Sequence, residues 1–414
     1  MNPEGTPFEQ AAARDAADPL ASFRDEFVIG DPGVIYLDGN SLGRLPKRAR
    51  ADVVAALDDE WGENLIQSWD HWLSLGTRTG DVLAPLIGAR RGEVVLADQT
   101  TVNLYKLASA AMAASGRTDV VTDEGNFPSD LYVLDSVARA AGGRLRVLPA
   151  DPDPRTVRGA LDESVGLVSM SLVAFRSGAI LDQRAINGAA HAAGALTLWD
   201  LSHAAGAIPV GLDENRSDLA IGCTYKYLNG GPGAPAFLYV REDLQHALTQ
   251  PITGWWGHEE MFGFAAEYTP APDIRRFLIG TPPVLSLVSA AAGIEVTARA
   301  GIAAIRTKSS ELSAWFIELA DRSLAKHGFE VITPRDPERR GSHVALRHPR
   351  AWQVSRALRA RGVIPDFRTP DVVRFGLAPL YNSFFQVFDA IETTAEIVAS
   401  GYHLDFPTAR GGVT

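Results

Sequence analysis

The sequence of 414 residues contains a single cysteine, Cys223. One cysteine cannot form an internal disulfide, so disulfide bonds cannot stabilise the folded chain. The nine histidines do not combine with Cys223 in any zinc-ligand spacing, and we therefore expect no metal site. This cysteine usage is typical of a reducing compartment, and it predicts a cytoplasmic location.

Long apolar runs and an excess of positive charge are also missing. No uninterrupted apolar run approaches the roughly 18 residues of a membrane-spanning helix, and the N-terminal stretch MNPEGTPFEQAAARDAADPL lacks the apolar centre of an export signal. The chain has 39 Lys and Arg against 50 Asp and Glu, a net charge of −11. This balance disfavours electrostatic binding to nucleic acid or anionic membranes, so we expect neither as a partner.

What is present indicates an ordinary globular protein. Hydrophobic residues make up 46% of the sequence and charged residues 21%, which favours neither disorder nor a fibrous repeat. We find no internal repeat and no low-complexity tract. A chain of this length is expected to form roughly two to three domains.

Short apolar runs alternate with helical patterns, as in a parallel sheet with helices on both faces. One such helical pattern, Val102–Ala114, has leucine and alanine at the spacing of a buried stripe. The predicted fold class is α/β, with a large domain built on a mainly parallel, seven-stranded sheet. The seven predicted strands are Val94–Leu96, Asp119–Val121, Leu145–Leu148, Gly166–Ser171, Leu196–Trp199, Leu219–Gly222 and Ala236–Val240.

The pattern changes after Pro283, where an alanine-rich, helical region of residues 284–326 begins. Further elements are predicted as strands at Glu330–Ile332, His343–Leu346 and Val372–Phe375, and as helices at Trp352–Arg361 and Phe384–Ala399. These elements predict a smaller α+β domain. The predicted bounds are an N-terminal segment 1–55 that joins the small domain, a large domain 56–285 and a small domain 286–414.

The stretch TYKYLNGGPG places Lys226 after an apolar run and before a glycine-rich turn, and Asp200 ends another apolar run 26 positions earlier. In an open α/β sheet, residues just past the carboxyl ends of strands line the ligand crevice, so both side chains can face one small molecule. An amine and a carboxylate directed at one ligand indicate pyridoxal phosphate. Lys226 would form a Schiff base and Asp200 would keep the pyridine nitrogen protonated. The alternative is two unrelated surface charges.

Other segments offer further parts of such a site. Thr100 and Thr101 precede a helical pattern, where hydroxyl and free N–H groups can hold a phosphate or simply cap the helix. In the segment FPSD, Phe127 can cover the cofactor ring, with Ser129 and Asp130 at its polar edge. The alternative for Phe127 is a place in the hydrophobic core beside a helix cap.

Two more residues have both a functional and a structural interpretation. His203, three residues after Asp200, can hydrogen-bond the carboxylate, the cofactor or a loop carbonyl. In the run GWWGH, Trp255 offers an indole N–H for a phosphate, although paired tryptophans are also typical of packing or an interface.

Six motifs in order give the chain a family resemblance. From Ile35 to about Phe384 it resembles the kynureninases, fold-type I pyridoxal phosphate enzymes similar to the class V aminotransferases. The motifs are YLDGNSLG at Tyr36–Gly43, FPSD at Phe127–Asp130, WDLSHA at Trp199–Ala204, YKYLN at Tyr225–Asn229, GWWGH at Gly254–His258 and RFGLAPLYN at Arg374–Asn382.

The resemblance implies roles for individual residues. Lys226 would carry pyridoxal 5'-phosphate covalently, Asp200 would contact its ring nitrogen, and Phe127 would stack on its ring. The other implied cofactor contacts are Thr100, Thr101, Ser129, Asp130, Ser171, His203, Tyr225, Trp255 and Thr281.

The resemblance also implies how substrate and subunits are arranged. Arg374 would bind the α-carboxylate of an amino-acid substrate through its bidentate fork, the alternative being a salt bridge within the small domain. Asn40 and Ser41 would close over the substrate. Trp255 and Thr281 would reach the phosphate of the neighbouring subunit, which implies a homodimer with shared active sites.

The implied activity is hydrolysis of the Cβ–Cγ bond of L-kynurenine to anthranilate and L-alanine, in the kynurenine pathway of tryptophan catabolism and NAD biosynthesis. Lys226 would remove the α-proton, and Tyr225 is the candidate proton relay. The residues before the paired prolines, Gly280 and Thr281, are similar to those of relatives that act on unsubstituted kynurenine. The segment Glu63–Gly76 is expected to line the aryl pocket, and 3-hydroxykynurenine or another ring-substituted kynurenine stays open.

Three alternatives share this set of residues. An aminotransferase would also use Lys226, Asp200 and Arg374. A cysteine desulfurase or selenocysteine lyase would need a mobile thiol, whereas Cys223 is predicted to be buried at a strand end. A cofactor-binding protein without catalysis is the third alternative, and the presence of every candidate catalytic residue argues against it.

Overall fold

The computed structural model describes residues 5–409, so the outermost residues of the predicted bounds 1–55 and 286–414 lie outside the described residues. The strands are β1 Ile35–Tyr36, β2 Val94–Leu96, β3 Asp119–Asp123, β4 Leu145–Leu148, β5 Val165–Ser171, β6 Leu196–Asp200, β7 Leu219–Gly222, β8 Phe237–Val240, β9 Glu330–Val331, β10 His343–Arg347, β11 Val363–Ile364, β12 Asp366–Arg368 and β13 Val372–Gly376. The α-helices are α1 Pro7–Ala16, α2 Lys47–Ala55, α3 Trp69–Trp72, α4 Leu75–Leu83, α5 Thr100–Ser115, α6 Pro128–Ala140, α7 Pro154–Gly159, α8 Gln183–Ala192, α9 Glu242–Gln245, α10 Val284–Ala300, α11 Ile302–Ser323, α12 Ala351–Ala360 and α13 Phe384–Ala399.

The main sheet has seven strands in the order β2-β8-β7-β6-β5-β3-β4. Strand β8 is antiparallel to both of its neighbours, and the other strand pairs are parallel. Each of β2, β3, β5, β7 and β8 is buried along its whole length, which explains the apolar residues that dominate most of these strands. The predicted α/β class and mainly parallel seven-stranded sheet are confirmed.

A second, four-stranded sheet has the order β12-β13-β10-β9, and its pairings are antiparallel. Helices α11, α12 and α13 share a hydrophobic cluster with it, and Ala11, Ile35 and Leu37 from the N-terminal region belong to the same cluster. Leu20 and Phe27 pack instead with the main sheet. The bounds 1–55, 56–285 and 286–414 stay predictions.

Within residues 5–409, no single helix is long and apolar enough to cross a membrane. Helices α10 and α11 pass the length and composition test only as a pair, and the pair is bent by 81°. The described residues also contain no group of three or more His, Cys, Asp or Glu side chains placed to hold a metal ion.

Candidate active site

The carboxyl ends of the parallel strands β2, β3, β5, β6 and β7 lead into one cavity of about 360 Å³, as expected for the ligand crevice of an open α/β sheet. We call this space the lysine cavity. It brings together every cofactor contact that the resemblance implied except Trp255 and Thr281. Its lining residues are Gln99, Thr100, Thr101, Phe127, Ser129, Asp130, Ser171, Phe175, Asp200, Ser202, His203, Tyr225, Lys226, Gly233 and Ala234.

Lys226 and Asp200 face the same cavity because their strands are neighbours. Asp200 is the last residue of β6 and pairs in register with Ile221 of β7, and Lys226 follows β7 by four residues. The Lys226 Nζ atom lies 2.9 Å from Nε2 of His203. Burial, and next the charge of Lys226, lower the pKa of His203 well below its usual value. The imidazole is therefore neutral, and Nε2 can accept a hydrogen bond from the lysine.

Helix α6 begins directly after Phe127, whose ring is partly exposed, and Asp130 lies in its first turn. Burial, and next the charge of Asp200, raise the pKa of Asp130 well above its usual value. Its Oδ2 atom has no hydrogen-bond partner among the described residues. A protonated carboxyl here can donate a hydrogen bond to a ligand, whereas a carboxylate could only accept.

Thr100 and Thr101 form the first turn of α5, a helix of 16 residues. The residue before them, Gln99, makes no side-chain hydrogen bond to the helix start. Free N–H groups and the positive end of the helix dipole therefore meet the two hydroxyl groups at the cavity wall. Such a helix start is suited to a phosphate.

Tyr225 and Cys223 both keep their protons at neutral pH. The neighbouring Cys223, and next burial, raise the pKa of Tyr225, so the phenol stays protonated at neutral pH. Burial likewise raises the pKa of the Cys223 thiol, which is 3% exposed. A buried, protonated thiol is not the mobile nucleophile of a desulfurase.

Arg374 lies beside the lysine cavity but outside its lining, and it is 0% exposed. Its Nε donates to Oδ1 of Asp366 over 2.8 Å, its Nη2 pairs with the same carboxylate, and its Nη1 donates to the carbonyl of Phe175. Burial alone would raise the pKa of Asp366, but Arg374 lowers it to about 2. The salt bridge considered as an alternative for Arg374 is thus present, and Phe175 links it to the cavity wall.

Ser41 and Asn40 lie near this ion pair. The Ser41 hydroxyl donates to Oδ2 of Asp366 over 2.6 Å. Asn40 is fully buried, and neither polar atom of its side chain has a hydrogen-bond partner among the described residues. The Ser41 hydroxyl oxygen lies 3.4 Å from Nη2 of Arg374, and Asn40 packs against Gly376, two residues after Arg374.

Gly43 fixes the N-terminal segment against the lysine loop. Its N–H donates to the carbonyl of Tyr225 over 2.8 Å. A Cβ atom at this position would lie 2.3 Å from the carbonyl oxygen of Lys226, so any other residue would displace the backbone next to the lysine. The motif YLDGNSLG therefore ends in glycine for a steric reason.

Trp255 and Thr281 lie elsewhere, in an open apolar groove of about 550 Å³. We call it the tryptophan groove; it is lined by Ile66, Trp69, Trp255, Met261, Phe262, Phe264 and Thr281. Phe264 is 89% exposed and Ile66 is 74% exposed. Within one chain the structure does not bring Trp255 or Thr281 to Lys226. From the predicted aryl-pocket segment Glu63–Gly76, Ile66 and Trp69 line this groove, and no residue of the segment lines the lysine cavity.

Sequence reasoning missed several residues around the site. Ser202 stands within the quoted motif WDLSHA, Gly233 ends the quoted stretch TYKYLNGGPG, and Ala234 follows it, so motif position could have found all three. Phe175 and Asp366 had no such signal. Asp366 meets Arg374 only because β12 pairs with β13, with Asp366 opposite Arg374 in the register.

Residues 305–394 match the family model described as the kynureninase C-terminal domain. A kynureninase of Pseudomonas fluorescens is 43% identical over 395 residues, covering 93% of this chain and 94% of that protein. A kynureninase of Burkholderia pseudomallei strain K96243 is also 43% identical, covering 94% of this chain and 95% of that protein.

Solved structures give more distant likenesses. The apo cysteine desulfurase of Thermococcus onnurineus NA1 has a TM-score of 0.75 at 20% identity, covering 97% of this chain and 100% of that chain. A C-DES variant with glycine covalently linked to its PLP cofactor has a TM-score of 0.80 at 16% identity, covering 90% and 99% of the two chains. Likenesses at this identity show the fold alone, and the predicted fold is confirmed.

Proposed function

The chain belongs to the kynureninase family, and from this membership we propose that it hydrolyses the Cβ–Cγ bond of L-kynurenine with pyridoxal 5'-phosphate as its cofactor. The products are anthranilate and L-alanine. The observation that carries the proposal is the lysine cavity, which Lys226, Asp200 and the start of α5 all face. The cytoplasmic location and the role in tryptophan catabolism stay predictions.

The residues of the lysine cavity fit this cofactor. A volume of about 360 Å³ lies within the usual range of small-ligand sites, roughly 300–1,000 Å³. Oδ2 of Asp130 and Nδ1 of His203 are buried without a hydrogen-bond partner among the described residues, and buried polar atoms are normally satisfied. A polar, anionic ligand with a ring would satisfy both these atoms and the helix start.

Each part of the cofactor has a matching group. Lys226 would hold the aldehyde carbon covalently, Asp200 would keep the pyridine nitrogen protonated, and Phe127 would cover the ring. Thr100 and Thr101 would bind the phosphate. When bound, the cofactor supplies an electron sink that stabilises negative charge on the carbons of the substrate.

The chain's own side chains then move the protons. The Lys226 amine, when it is not bonded to the cofactor, would be the base that accepts the α-proton of the substrate. Tyr225 stays protonated at neutral pH and would deliver a proton to the β-carbon when the Cβ–Cγ bond breaks; its raised pKa makes it a weaker acid than a free phenol. Water supplies the hydroxyl oxygen of the anthranilate carboxyl group and, in balance, the hydrogen that ends on alanine.

Arg374 is the proposed partner of the substrate carboxylate. Asp366 and the Phe175 carbonyl already accept hydrogen bonds from it, which fixes the plane of the guanidinium group. A guanidinium group has five N–H donors, so donors remain for a second anion. Ser41 and Asn40 would complete this end of the substrate site.

The proposed assembly is a homodimer in which the tryptophan groove of one copy completes the lysine cavity of the other. Exposed rings such as Phe264 and Phe262 form the kind of apolar patch that is normally covered by a partner. In this arrangement Trp255 and Thr281 would meet the cofactor phosphate of the second copy.

The substrate preference is tested by measuring kcat/KM for L-kynurenine and for its 3-hydroxy analogue, with anthranilate and alanine identified as products. Gly280 and Thr281 resemble the relatives that act on the unsubstituted ring, so we expect the higher kcat/KM with L-kynurenine. A higher value for the 3-hydroxy analogue would reverse the preference. Conversion of the cofactor to its amine form without anthranilate would identify an aminotransferase instead.

A further inference from the structure

A second lysine, Lys106, is fully buried in helix α5, six residues after Thr100. Its Nζ atom lies 2.6 Å from Oδ2 of Asp98 and 2.7 Å from the carbonyl oxygen of Phe277. Burial lowers the pKa of Lys106, while the charge of Asp98 and its hydrogen bond oppose this shift. A buried ammonium is costly unless it is paired, so these two contacts hold it in one position.

The first contact fixes the backbone where α5 begins. The backbone of Asp98 has a φ of 49°, a left-handed conformation that residues other than glycine rarely adopt. Its carbonyl accepts a hydrogen bond from the N–H of Ala236 over 2.8 Å. Gln99 follows and precedes the two threonines at the cavity wall. The Lys106 ammonium holds the Asp98 carboxylate, and so stabilises this strained turn.

The second contact fixes the segment that leads to the tryptophan groove. Phe277 ends a 3-10 helix, and Leu278–Thr281 continues from it into the groove. This segment runs against the backbone that carries Trp255, since the N–H of Trp256 donates to the carbonyl of Ile279 over 3.3 Å. One ammonium group therefore joins the helix start of the lysine cavity to the residues that lie outside it.

We propose that Lys106 is a positioning residue that ties the phosphate-binding helix start of its own site to the segment presenting Trp255 and Thr281 to a second copy. This inference rests on the proposed function. Lys106 touches neither cavity nor groove, so it acts only through Asp98 and Phe277. Its removal should loosen both places where a cofactor phosphate is held.

The chain offers a matched control in Lys308, on helix α11. Its Nζ atom lies 2.6 Å from Oδ2 of Asp18, and both side chains are buried. Burial lowers the pKa of Lys308 as it does that of Lys106. Lys308 lines neither the lysine cavity nor the tryptophan groove. Loss of either pair should destabilise the fold, but only Lys106 should affect the cofactor.

The test compares Lys106→Met with Lys308→Met in the purified full-length enzyme. The dissociation constant of pyridoxal 5'-phosphate is measured by equilibrium dialysis and cofactor absorbance, and folding is checked by circular dichroism. We expect Lys106→Met to weaken cofactor binding about tenfold or more, and Lys308→Met to change it by less than about twofold. If Lys106→Met does not fold, Asp98→Asn takes its place under the same criteria, because asparagine tolerates the left-handed backbone.

The outcomes separate this inference from the function on which it rests. Equal dissociation constants for the two folded variants would overturn the positioning role, while wild-type turnover of kynurenine would leave the proposed function standing. Wild-type protein that neither binds the cofactor nor cleaves kynurenine would instead overturn the proposed function. A selective loss of cofactor affinity in Lys106→Met establishes the role of the buried pair.

Discussion

The lysine cavity and the tryptophan groove are built from different parts of the fold. The cavity lies where buried parallel strands end, and its wall contains charged and polar side chains such as Lys226 and Asp200. The groove is formed by loops and short helical turns, and aromatic rings such as Phe264 stand exposed in it. Buried polar groups without partners are satisfied by a ligand, whereas exposed apolar rings are covered by another protein surface. The cavity therefore matches a small polar ligand, and the groove matches the proposed contact with a second copy.

The largest effect should come from the cavity. Lys226→Ala removes the only proposed covalent link and the proposed base, so we expect turnover to fall on the order of 10³-fold or more, together with the absorbance of the bound cofactor. Steady-state kinetics and absorbance spectra measure the two losses. Lys326→Ala, at an exposed lysine, is the control and should match wild type. Normal turnover in Lys226→Ala would show that the lysine cavity is not the catalytic site.

A substitution in the tryptophan groove should weaken the proposed dimer. Phe264→Asp places a charge in the apolar surface, and we expect the dimer dissociation constant to rise about 30-fold or more, since buried aromatic anchors are typical hot spots. Sedimentation velocity measures the dimer, and turnover should fall as it dissociates. Leu404→Asp, at another exposed apolar residue, is the matched control. An unchanged dimer in Phe264→Asp would show that the groove is not the interface.

A smaller effect concerns the pH dependence of thermal stability, which should differ between variants of the cavity and of the groove. The pKa of Asp130 is raised well above its unfolded value of about 3.9, so the unfolded chain releases a proton that the folded chain keeps. Cofactor-free wild type therefore loses stability as pH rises from about 4 towards the folded pKa. Asp130→Asn has no carboxyl group at this position and cannot show this loss. The difference between its Tm and that of wild type should therefore grow in favour of the variant by about 1 to 3 °C from pH 5 to pH 8.

The groove supplies the control for this pH dependence, because none of its lining residues titrates in that range. The difference in Tm between Met261→Leu and wild type should be the same at every pH. A Tm difference for Asp130→Asn that stays flat with pH would contradict the raised pKa. Thermal unfolding of cofactor-free protein across the pH range measures both variants.

Local patterns predicted the main sheet and most of the cavity. The seven apolar runs became strands of one sheet, five of them buried along their whole length, and Asp200 and Lys226 face one cavity because the carboxyl ends of neighbouring parallel strands share an edge. The family resemblance then supplied residues such as Ser171 and Asn40, which no local pattern had singled out as site residues. The fold and family are confirmed, while the roles of these residues stay predictions.

The sequence did not reveal contacts that join distant parts of the chain. Lys106 stands within an ordinary helical pattern, and its bond to Phe277 spans 171 positions. Asp366 meets Arg374 only through the pairing of two short strands, of which β12 was not predicted. The separation of Thr281 from Lys226 within one chain is likewise a property of the folded structure. Tertiary contacts of this kind leave no local signal.

The central claim is that one complete site needs the cavity of one copy and the groove of another. The direct test coexpresses Lys226→Ala with Thr281→Asp, where Thr281 is exposed and its replacement places a carboxylate against the proposed phosphate site of the partner. Each variant alone should be nearly inactive. Random mixing makes about half of the dimers hybrid, each with one intact site, so activity should recover to about a quarter of wild type. Mixed protein no more active than the two variants measured separately would contradict the shared site.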